Sequence, residues 1–74
     1  MTSRARLALS EQVISGWEAH GQPGGPVTDS LRMIREELVK LLDIANAAPD
    51  LSADIDAVAY RYRLMEARLE RGLN

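Results

Sequence analysis

The chain has no cysteine, which excludes disulfide staples and thiolate metal sites. It has no phenylalanine, and Trp17, Tyr60 and Tyr62 are its only aromatic residues. A core must therefore be assembled from leucine, isoleucine, valine, methionine and alanine. The single histidine, His20, has no second imidazole or thiolate for a metal pair or a catalytic relay. Basic excess is also missing, since 9 Lys and Arg against 11 Asp and Glu leave a net charge of −2. A free-standing nucleic-acid binder ordinarily carries the opposite balance. No apolar run approaches the roughly 18 residues of a membrane span. The opening "MTSRARLALSEQ" lacks the apolar core of a secretory leader. A cytoplasmic protein without membrane contact is the expectation.

What is present points to helices. The 74 residues suffice for one small domain, 1–74. A chain this short buries only about 60% of its unfolded surface, which leaves a thin margin of stability. The supports open to it are close helix packing and oligomerisation. Helix breakers cluster in "HGQPGGP", a loop over about residues 20–27, and in "AAPD", residues 47–50. The first segment starts at either Thr2 or Ser10 and runs to about Ala19. Ser10 followed by Glu11 reads as an N-cap with an acid in the first turn, which would leave residues 1–9 as an arm. The second segment starts at Thr28, a candidate N-cap, and stops before Pro49. The third starts at Asp50 or Ser52 and stops at Gly72. Its acids Asp54 and Asp56 come early and its arginines Arg68 and Arg71 late, as the helix dipole favours. No stretch alternates as a strand would.

The second segment places Val27, Leu31, Ile34, Leu38, Leu41, Ala45 and Ala48 at alternating steps of 4 and 3. The third does the same with Leu51, Ile55, Val58, Tyr62, Met65, Leu69 and Gly72. That spacing belongs to helices packed side by side at a shallow angle, and the tight "PD" link makes them antiparallel. Pairing Ala48 with Leu51 then sets Leu41 against Val58, Leu38 against Tyr62 and Ile34 against Met65. The expected fold is all-α: an antiparallel helical hairpin, residues ~28–48 and ~51–72, completed by an N-terminal helix into a small three-helix bundle. Within "YRYR", Tyr62 belongs to the seam and Arg61 and Arg63 flank it. Tyr60 points away, because two residues turn a helix by about 200°.

Tyr60 has company on that outer face. Ala57, Tyr60, Leu64 and Ala67 form a second stripe, bordered by Arg61, Arg68 and Arg71. Helix two carries weaker outward positions at Met33 and Ile44. Helix one, anchored by Trp17, is expected in the hairpin groove near Val39, Leu42 and Ala59, which leaves the stripe of helix three to another chain. Tyrosine and arginine are residue types that interface hot spots favour. No catalytic, cofactor-binding or metal-binding set emerges. "GQPGG" lacks the lysine and hydroxyl of a P-loop. Asp50, Asp54 and Asp56 suit helix capping better than a cation, and Ser10, Ser15, Ser30 and Ser52 have no base beside them. The expected function is a non-catalytic protein-binding module, homodimeric through helix three, acting as regulator, inhibitor or assembly adaptor on a protein partner. The alternative is a helical nucleic-acid binder using Arg61, Arg63, Arg68 and Arg71 with an arm carrying Arg4 and Arg6. Against it stand Glu66 and Glu70, expected to pair with arginines of their own helix, and the absence of a short helix-turn-helix link.

Overall fold

In the computed structural model, which describes residues 1–23 and 25–73, the chain folds as α1 (Ser3–His20), α2 (Val27–Ala47) and α3 (Ser52–Leu73). A 3-10 turn, Pro49–Leu51, joins α2 to α3. The three helices pack against one another, and no strand occurs among the described residues. Gly24, within the expected loop, and Asn74 lie outside the described residues. None of the helices is long and apolar enough to cross a membrane.

α1 takes the earlier of its two candidate starts. Thr2 is its N-cap, and the Thr2 hydroxyl accepts from the Ala5 N–H at 3.1 Å. Ser10 is therefore no cap but a buried residue in mid-helix. The helix ends at Gly21, whose φ of 98° lies where L side chains are disfavoured. The Gly21 N–H donates to the Trp17 carbonyl at 2.8 Å.

α2 starts one residue before the expected Thr28, and its N-cap is Pro26, without a side-chain bond. Proline leaves no N–H to satisfy there, and its carbonyl accepts from Asp29 and Ser30 at 3.0 and 3.2 Å. The Ser30 hydroxyl donates to the Pro23 carbonyl at 2.8 Å and ties the loop to the helix. At the far end α3 continues through Gly72, so that glycine is a helical residue and not the expected stop. It lacks the positive φ that a glycine terminator takes.

The seam of α3 is as the spacing predicts from Leu51 of the turn through Ile55, Val58, Tyr62, Met65 and Leu69, all buried, whereas Gly72, its expected last member, is exposed. On α2, Leu31, Ile34 and Leu41 are buried, while Val27, Leu38, Ala45 and Ala48 pack at the edge of the core. The Arg35 guanidinium reaches Glu66 at 3.0 Å and Glu70 at 2.9 Å. That agrees with Ile34 lying level with Met65. Ile44 corrects the sequence reading: expected to point outward, it is 1% exposed. The cause is the position of α1, which lies on the flank of the hairpin that carries Glu37 and Ile44. Ala59 is buried, but Val39 and Leu42, where α1 was expected, stay open.

Candidate protein interface

α1 docks through few apolar groups, Leu7 and Ile14 in full and Trp17 in part. Polar contacts supplement them. Tyr62, wholly buried, donates its hydroxyl to the Ser10 carbonyl at 2.6 Å. The Ser10 hydroxyl lies 3.2 Å from the Tyr62 oxygen and 3.3 Å from Glu37 Oε2, close enough to donate to either. The Trp17 ring meets Tyr62 edge-on, with centroids 5.8 Å apart and an interplanar angle of 89°, the arrangement that aromatic quadrupoles favour. Burial pushes the Tyr62 hydroxyl up to about 12. No sequence signal marks this cluster, because Ser10 before Glu11 has the chemistry of a helix cap.

Arg61, expected at the rim of an interface, is turned onto α1. Its Nε donates to Glu18 at 3.1 Å and its terminal nitrogens reach Ser15 at 2.9 Å, the second Glu18 oxygen, and Glu11 at 3.8 Å. The hydrogen bond from Arg61 holds the Glu18 carboxyl below the usual carboxylate range, and the same bond raises Arg61 itself. Arg61 therefore clasps α1 to α3, and the nucleic-acid alternative loses one arginine of its set. Glu66 and Glu70, expected to pair within α3, both reach across to Arg35. These bonds, Glu66 first, raise the Arg35 guanidinium further.

The outer stripe of α3 is left uncovered. Tyr60 is 61% and Leu64 47% exposed, one helical turn apart. Ala67, Arg68 and Arg71 are exposed beside them. Ala57 lies at the other margin, in the shallow cleft between α1 and α3 that Arg4, Leu7 and Arg61 also line. His20 is exposed in the last turn of α1. Asp50, Asp54 and Asp56 do not converge: among the described residues no three metal-ligating side chains come together. No family model matches this sequence, and searches of curated proteins and of solved structures return no match.

Proposed function

We propose that the chain is a small non-catalytic protein-binding module, a regulator, inhibitor or assembly adaptor, and that it associates with its own copies through α3. The observation that supports this reading is the exposure of Tyr60 and Leu64 on the face of α3 opposite the seam, with no element among the described residues over them. A helix apolar on two faces is suited to burial on two sides. An antiparallel copy of α3 would bring Asp54 near Arg68, and the small Ala57 and Ala67 would let the backbones approach. Leu64→Asp, which leaves the bundle folded because position 64 faces away from the core, breaks the association where the copies meet across the stripe itself and spares it where they meet on another face of α3. Sedimentation equilibrium of wild type and variant at high micromolar concentration tests this. A monomeric wild type would remove self-association and leave the stripe to a foreign protein.

A further inference from the structure

The hairpin has two flanks, and α1 covers only one. Glu37 marks the covered flank, since its carboxylate meets Ser10 of α1. Arg35 stands two residues earlier, about 200° around α2, and its guanidinium crosses to Glu66 and Glu70 on the flank away from α1. Val39 and Leu42 follow Arg35 by four and seven residues, which brings each within about 40° of its direction. They are 57% and 61% exposed, the most open large apolar side chains of α2. On α3 the same logic holds. Arg61 turns to α1, so Arg63, about 200° further round, takes the free flank. Asp56 precedes Arg63 by two helical turns and shares its direction within about 20°. Both are exposed, and neither enters an ion pair among the described residues.

These four positions are self-complementary about a single axis. The Arg35 guanidinium, bonded to Glu66 and one turn further to Glu70, sets α2 and α3 level with one another near this point. From it, the midpoint of Val39 and Leu42 lies 5.5 residues along α2, and the midpoint of Asp56 and Arg63 lies 6.5 residues back along α3. The two midpoints are thus level to within about one helical turn, roughly 5.4 Å, a span that the long arginine side chain bridges. A two-fold axis crossing the flank at that level lays α2 on the antiparallel α2 of a copy, and α3 on its α3. It sets Val39 against Leu42 of the copy and Asp56 against Arg63 of the copy, each contact made twice.

We propose that this α1-free flank is an interface between two copies of the chain, with Val39 and Leu42 as its apolar centre and Asp56 and Arg63 as its charge lock. The proposal rests on the reading of the chain as self-associating. It moves the two-fold from the outer edge of α3 to the flank shared with α2, with Tyr60 at the border and Leu64 outside. The broad face of the molecule, 38 × 20 Å, sets an upper bound near the ~800 Å² per partner that standard interfaces bury.

Sedimentation equilibrium of the full-length wild type and five variants, with circular dichroism to verify their helicity, tests it. Leu42→Asp, Asp56→Arg and Arg63→Asp should each weaken the dimer by about tenfold or more, because each places a buried or repelling charge at the axis. Leu64→Asp should leave it intact, and Asp56→Arg combined with Arg63→Asp should restore it. A dimer lost in Leu64→Asp and kept in Leu42→Asp overturns this interface while leaving self-association through the edge of α3. A double charge reversal no tighter than its single parents overturns the charge lock. A monomeric wild type overturns self-association and this interface together.

Discussion

Tyr62 is where the three helices meet, because its ring lies in the α2–α3 seam and its hydroxyl bonds to α1. Its protonation is therefore coupled to folding. The folded-state value is raised to about 12 from roughly 10 in an unfolded chain. A raised value means that the neutral form is the one the fold favours. This contribution is fully present below pH ~10 and is lost as pH climbs toward ~12. Thermal melts should fall across that window, and tyrosinate absorbance of a Tyr60→Phe variant should rise with the loss of helicity. Melts that stay flat to the top of the window would show that the Tyr62 hydroxyl reaches water without unfolding. Ile34 and Leu38 give a second residue-scale test. Ile34 is fully buried and Leu38 only in part. Ile34→Ala should cost about 2–5 kcal/mol through lost transfer energy and a cavity, and Leu38→Ala distinctly less. Denaturant titration ranks them, and equal losses would contradict the burial pattern.

At the scale of the element, the helices differ in how they are held. α2 and α3 share a continuous apolar seam. α1 relies on Leu7, Ile14, part of Trp17 and the polar contacts around Ser10 and Arg61. Exposed ion pairs contribute little and are screened by salt. Amide hydrogen exchange should therefore find α1 opening at lower free energy than the hairpin, with the gap widening as salt is added. Uniform protection over all three helices would show that the bundle opens as one unit. The same contrast explains what the sequence disclosed. The 3.5-residue spacing identified every buried seam position of α3, since it reports which residues share a face. It is silent on which flank of that face a third helix will choose. Hence the spacing predicts Ile44 outward and Leu42 beneath α1, the reverse of their exposure. Tyr60 and Leu64 were legible because they oppose the seam on a single helix. The roles of Arg61 and Glu66 were not, because each partner lies on another helix, where sequence separation carries no signal.

For the whole molecule, thin stability and open apolar flanks bear on each other. A chain of 74 residues gains little from its own interior, and binding to a copy would add stability by mass action. The midpoint of thermal unfolding should then rise with protein concentration and flatten in Leu42→Asp. A midpoint independent of concentration in the wild type would separate folding from association. These events have to be distinguished by a probe, and the fold contains one. Trp17 is the sole tryptophan, mounted on the helix with the fewest apolar anchors and set edge-on against the buried Tyr62. Its emission and the near-ultraviolet dichroism of the pair respond when α1 leaves its seat. The proposed copy-to-copy surface lies on the other flank, beyond reach of that ring. The unlabelled protein thus has an optical channel tuned to the docking of one helix and blind to the proposed pairing of copies.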